Sequence, residues 1–231
     1  MTIRTCTRSA ARWLAAGLGV GAGVYAASAG LAWTRYGRPA PPVAPERDDL
    51  LDRLMPRYDI VERHHVRVDA PAAVTLATAR EMDLFGIPGV RTIFAMREWI
   101  MGAADAGTAP RGLLADVQAL GWRVLAEVPD REIVLGAITR PWEANPVFVG
   151  MDADAFVASR EPGTVKIAWT LRADDEGDGR STFRTETRAL ASDEEARARF
   201  RRYWSLVSPG VFLIRRLSLA PIKAAAERRA A

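Results

Sequence analysis

From Trp13 to Trp33 the chain runs 21 residues without a charge. No other feature limits its possible folds so sharply, because about 20 apolar residues are what a bilayer core demands of a helix. The same run holds Gly17, Gly19, Gly21 and Gly23 at alternate positions, which also suggests a phosphate-binding loop. Such a loop needs G-x-G-x-x-G between a strand and a helix, with an acid about 20 residues on. Here Ala22 and Val24 occupy the third-glycine positions, and the first acid is Glu46, beyond the prolines at 39, 41, 42 and 45. The membrane reading fits better. Trp13 and Trp33 close the run where amphipathic rings favour the interface. Gly17 with Gly21, and Gly19 with Gly23, have the small-xxx-small spacing of paired membrane helices, although a chain rich in Ala and Gly shows such spacing by composition alone.

Arg4, Arg8 and Arg12 form a basic leader, and Ala27-Ser28-Ala29 resembles a signal-peptide cleavage site. The apolar run continues past that site through Leu31, Ala32 and Trp33, which favours an uncleaved anchor over a signal peptide. The chain divides into a basic leader (1–12), a transmembrane anchor or signal peptide (13–33), a proline-rich linker (34–55) and a folded domain (56–231). Arg35 and Arg38 flank the far side of the span. The charge bias leans toward a cytoplasmic N-terminus and an extracytoplasmic domain. The first expected partner is therefore the lipid bilayer, met by residues 13–33 of a single-pass membrane protein.

The net charge of +4 comes from the leader: residues 1–45 carry five arginines and no acid, leaving 27 basic and 28 acidic residues beyond them. A domain so balanced is not a nucleic-acid binder. The single cysteine, Cys6, precedes the apolar run, so disulfides, thiolate metal sites and a cysteine nucleophile are excluded from the domain. With two histidines and no cysteine there, no zinc site is expected, and no motif implies a cofactor.

Within the domain, "YDIVERHHVRV" (58–68) alternates as a strand with its even positions inward. Asp69 and Pro71 open a helix through "AAVTLATAREM", and "GVRTIFAMREWIMG" supplies a second. "GWRVLAEV", "EIVLGAITRPW", "DAFVAS", "TVKIAWTLRA" and "RSTFRTETRAL" read as strands. Ser192-Asp193-Glu194-Glu195 reads as a capping box opening a long terminal helix, with Pro209-Gly210 expected to kink or break it.

The strings "HHVRVDAPAAV", "GWRVLAEVPDREIVLGAI", "EPGTVKIAWTLR", "STFRTETRAL" and "ARARFRRYWSLVSPGVFLIRR" resemble the START-like, or SRPBCC, superfamily of polyketide cyclases, dehydratases and lipid transporters, in a membrane-anchored branch of it. The resemblance covers about residues 56–225. It implies an α+β helix-grip fold: a curved antiparallel sheet wrapped round a long C-terminal helix, with two short helices after the first strand and an apolar cavity between. An N-terminal transmembrane helix precedes it. No family site motif maps onto this chain.

Three functions follow as expectations. The first is a non-catalytic, membrane-tethered domain that binds a lipid or other apolar small molecule. Its lining would come from Trp142, Trp169, Phe183, Thr185, Thr187, Phe200, Tyr203 and Trp204, though aromatic stripes and strand threonines serve packing equally well. The second is a cyclase- or dehydratase-type enzyme. Glu62 and His64 lie two apart on one strand face and would act as acid and base, unless the strand leaves both in water. The third is a protein-interaction module with a filled core. Arg201, Arg202, Arg215 and Arg216 of the basic terminal helix would touch anionic headgroups, or simply form a solvated face.

Overall fold

The computed structural model describes residues 19, 21, 23–83, 86, 87 and 112–231. Residues 23–35 are helical (α1), and a single 3-10 turn (Ala44–Glu46) leads to α2 (Asp49–Leu54). Then come β1 (Ile60–Val68), α3 (Ala72–Glu81), α4 (Leu113–Ala119), β2 (Arg123–Val128), β3 (Glu132–Thr139), α5 (Ala153–Ala158), β4 (Val165–Gly177), β5 (Arg180–Ala191) and α6 (Glu194–Ala230). The strands form one antiparallel sheet in the order β1-β5-β4-β3-β2. The described elements make the helix-grip arrangement: an open antiparallel sheet with a long C-terminal helix. The second expected helix, over 90–103, lies outside the described residues.

Strand periodicity decides the two faces. On the inner face, Val165, Ile167, Trp169, Leu171 and Ala173 of β4 sit beside Ile133, Leu135 and Ala137 of β3, and beside Phe183, Thr185, Thr187 and Ala189 of β5. The inner core joins Trp169, Leu171 and Phe183 to Leu76 of α3, Leu113 and Val117 of α4, and Ile222 and Ala226 of α6. All eight residues of β3 are buried, because the outer face is covered as well. There Leu51 and Met55 pack with Leu125, Val134, Phe156 and Ala168. Gly136 allows Phe156 its place: a Cβ at 136 would meet Leu125 Cδ1 at 2.4 Å and Phe156 Cε2 at 3.1 Å.

Three sequence expectations change. "DAFVAS" is the helix α5, not a strand: its short apolar run buries only Phe156, and Lys166 Nζ donates to the Phe156 and Val157 carbonyls at its end. α6 is capped by Asp193, whose carboxylate accepts from Ala196 N–H at 2.8 Å, so the cap falls one residue later than Ser192. The helix also runs unbroken through Pro209 and Pro221. Trp204 and Ser208 before the Pro209 turn, and Ser218 and Ile222 after it, are buried, and this packing outweighs the lost backbone bond.

The N-terminal span also reads differently. Among the described residues, the helix long and apolar enough to cross a bilayer by length and composition is α6, with 22% of its apolar window buried. Residues 1–18, 20 and 22 of the expected leader and anchor lie outside the described residues. α6 has one side committed to the sheet and α3, so length and composition do not by themselves make it a span. α1 leans on it: Tyr25 Oη donates to the Leu206 carbonyl, and Arg201 stacks 4.1 Å over the Trp33 ring while donating to the Trp33 carbonyl.

The proline-rich segment, read from sequence as a spacer, is packed in its second half. Leu51 and Asp48 are buried against the outer sheet face. Arginines on that face hold the segment's backbone. Arg63 donates to the Ala40 carbonyl, Arg172 to those of Pro45 and Arg47, and Arg188 to that of Met55. Their charges are balanced by Glu186 (3.0 Å from Arg63 and 2.6 Å from Arg188), Asp52 (2.6 Å from Arg188) and Asp174 (3.0 Å from Arg172).

Arg188 is wholly buried, so Arg188→Ala leaves Glu186 with Arg63 alone and the Met55 carbonyl without its donor, and should lower unfolding free energy by about 1–3 kcal/mol in urea titration. Glu132, opposite Arg172 in the sheet, is pushed up to about 8, first by burial and then by the neighbouring Asp48. The folded state therefore holds its proton more tightly than the unfolded chain. Stability contributed by the protonated group is complete below the ordinary value of 4.5 and is lost as pH rises towards about 8. Glu132→Gln should flatten urea midpoints across that window.

Candidate functional site

The candidate site lies where β1, β5 and β4 face the middle of α6. Register sets it: Glu62 pairs with Thr187 and His64 with Thr185 across β1–β5, while Trp169 pairs with Thr187 and Leu171 with Thr185 across β5–β4. The even residues of β1 thus share the inner face with Thr185, Thr187 and Trp169. α6 contributes Phe212 and Arg215.

Five contacts define the geometry. Trp169 Nε1–H donates to Thr185 Oγ1 at 2.7 Å. The Arg215 guanidinium lies 4.0 Å over the Trp169 ring and donates to Thr187 Oγ1 at 3.1 Å. His64 Nε2 stands 3.6 Å from Glu62 Oε2. The His64 ring meets that of Phe212 at 5.1 Å. Behind them Trp122 packs edge-on against Trp169 at 6.4 Å and stacks on Phe148 at 5.4 Å.

This constellation is under-paired. A guanidinium has five N–H donors; Arg215 uses one of them on a neutral hydroxyl and forms no ion pair within 4.0 Å among the described residues. Burial lowers its pKa to about 10, against the partial support of Glu62's charge. His64 Nε2 is buried without a hydrogen-bond partner. Two polar groups thus converge on one apolar-walled place, each with capacity left over. A bound acceptor, anionic or carbonyl, would use it.

The structure divides the residues singled out from sequence. Trp169, Phe183, Thr185, Thr187, Glu62 and His64 share the inner face, with Phe183 buried in the main core. Glu62 keeps 24% of its side chain exposed and His64 8%. Phe200, Tyr203, Trp204 and Trp142 belong to a separate cluster with Tyr36, Ile60 and Val165. There Phe200 meets Tyr36 at 5.9 Å and Tyr203 at 6.3 Å. A hollow of about 320 Å³ lies nearby, lined by Trp142 with Arg140, Glu143, Gly163, Glu195, Ala196 and Arg199. Among the expected membrane-contact arginines, Arg202 and Arg216 are exposed and Arg201 caps Trp33.

Arg215 is the correction: it points at the sheet, because it lies at helical spacing with Trp204, Ser208, Val211, Ser218 and Ile222, the side of α6 turned inward. That spacing was present in the sequence; counting basic residues concealed it. Phe212 was among the aromatics the sequence offers for a pocket lining; Trp122 carried no sequence signal beyond its apolarity. Among the described residues no cluster of His, Cys, Asp and Glu is arranged to hold a metal.

Fold and site together define an α+β domain of an open antiparallel sheet and a long C-terminal helix, with a polar focus on the inner sheet face. No family model matches the chain, and no curated protein sequence matches it. Among solved structures, the chain is similar to the Zhui aromatase/cyclase from a Streptomyces species, at 14% identity and a TM-score of 0.27, covering 73% of this chain and 94% of that one. It is also similar to a Thermobifida fusca protein solved by NMR, at 17% identity and a TM-score of 0.22, covering 66% and 85%.

Thr185→Val keeps the side-chain volume but leaves the buried Trp169 indole N–H without an acceptor. It should cost about 1–3 kcal/mol of stability in chemical denaturation.

Proposed function

We propose that this protein is a membrane-tethered binding domain for an amphipathic small molecule or lipid. The ligand's oxygen-bearing end meets Arg215 and His64, and its apolar body lies along the inner face of the sheet. One observation carries the reading: a half-buried guanidinium with a single neutral hydrogen bond, 4.0 Å over Trp169. A partly buried charge left so poorly paired has donors to spare, and an acidic or carbonyl ligand would use them. Residues 13–33 supply the tether, supported by their 21 uncharged positions.

A second reading, a cyclase- or dehydratase-type enzyme, is favoured by the 3.6 Å approach of His64 to Glu62. In that case the pair would move a proton on the bound molecule.

The test is native mass spectrometry, with organic extraction, of the full chain released from detergent. A co-purifying molecule bearing an acid or carbonyl supports the proposal. Arg215→Met should lose at least ten-fold of that occupancy while keeping or raising the melting temperature, because it removes an under-paired charge. A bare mass, with no thermal shift across fatty acids, phospholipids and acidic polyketides, sinks it. Turnover of the captured molecule that disappears in Glu62→Gln, with binding retained, would select the enzyme.

A further inference from the structure

Seven of the thirteen exposed large apolar residues among those described lie on just two helices. α1 presents Val24, Tyr25, Leu31 and Trp33, and α6 presents Leu206, Phe212 and Leu213. Phe212 turns towards His64, whereas Leu206 and Leu213 share one outward line. Leu206, Gly210, Leu213, Leu217, Ala220 and Ala224 follow at steps of four and three, one line of an α-helix. Opposite that line lie the buried Trp204, Ser208 and Ile222. The line carries no charge, and an exposed arginine stands one turn beyond each end, Arg202 and Arg228. Exposed Arg216 lies at its margin.

α1 runs antiparallel beside this line. Tyr25 reaches Leu206 and, eight residues on, Trp33 reaches Arg201. The apolar surfaces of the two helices therefore adjoin. In sequence, α1 continues the uncharged run that begins at Trp13. A contiguous exposed apolar surface on a folded domain marks a contact site. Three features select its occupant: continuity with an uncharged run of membrane length, arginines at both ends, and only one acid, Glu227, against nine basic residues over 196–231.

We infer that the outward ridge of α6 lies in the membrane interface alongside α1, its leucines immersed among acyl chains and Arg202, Arg216 and Arg228 engaging anionic headgroups. α6 is thus a two-sided helix: one side grips the sheet and the other rests on the bilayer. The inference rests on the tether proposed for residues 13–33 but not on ligand binding.

The test places a nitroxide at Leu206→Cys or Leu213→Cys in full-length Cys6→Ser protein, reconstituted into phosphatidylcholine–phosphatidylglycerol vesicles. Asp178→Cys, at the hairpin tip where the side chain is 88% exposed, is the aqueous reference. Collision with oxygen relative to a water-soluble nickel chelate should be several-fold greater at 206 and 213 than at 178. Ratios equal to that at 178 overturn the inference. Labels shielded from both reagents overturn it too, and show that a second copy or another protein covers the ridge. Flotation of the same samples separates the two readings: vesicle-bound protein with aqueous labels keeps the tether and removes the ridge contact, whereas protein that fails to float removes both.

Discussion

The structure depends on guanidinium groups that hold backbone carbonyls across the outer face of the sheet. A sheet buried on one side can leave its other face wet. This sheet is covered on both, and part of the second cover is a segment whose composition is that of a linker. Arg63, Arg172 and Arg188 make the cover adhere. Each has a carboxylate for its charge and donors remaining for the strap, so the ionic layer is compensated while it binds main chain. Asp59 completes the arrangement at the top of the sheet. Buried, it accepts from Ala191 N–H at 3.0 Å and from Tyr36 Oη at 3.4 Å, and pairs with Arg197 of α6. Burial drives the Tyr36 hydroxyl up to about 12, so it stays a donor at any physiological pH.

That compensated layer contrasts with the inner face. Outside, Arg63, Arg172, Arg184 and Arg188 are each matched by an acid; inside, Arg215 faces a hydroxyl and an indole. Two arginine environments a sheet's thickness apart therefore serve different ends, one structural and one suited to recognition. The same contrast guards against reading every perturbed group as a site. Lys166 is lowered to about 8 by burial, yet its ammonium closes the end of α5 by donating to the Phe156 and Val157 carbonyls.

Much of this was legible in the sequence because strand parity is a strong constraint. A one-residue slip in β1 would carry Ile60 and Val68 outward, so the inward parity of Glu62 and His64 followed from their neighbours. The alternation of β4 and β5 was equally plain. The strap was not legible: its contacts are carbonyls, which leave no trace in side-chain identity. α5 was misread because six residues with one buried aromatic satisfy strand and helix templates alike. Pro209 was given too much weight, since local propensity is a small quantity beside the burial of a helix flank. Arg215 was assigned by charge when its phase on the helix should have decided.

The strap's mode of attachment has an evolutionary corollary. A clamp that recognises main-chain oxygen is blind to what the residue carries, so the exposed Ala40, Pro45 and Arg47 can be exchanged for almost anything that keeps the local backbone path. Sequence drift there would look like the drift of an unstructured connector, while the path in space stayed fixed. In such a family the invariant positions would be the arginines on the strands, far along the chain from the segment whose shape they dictate.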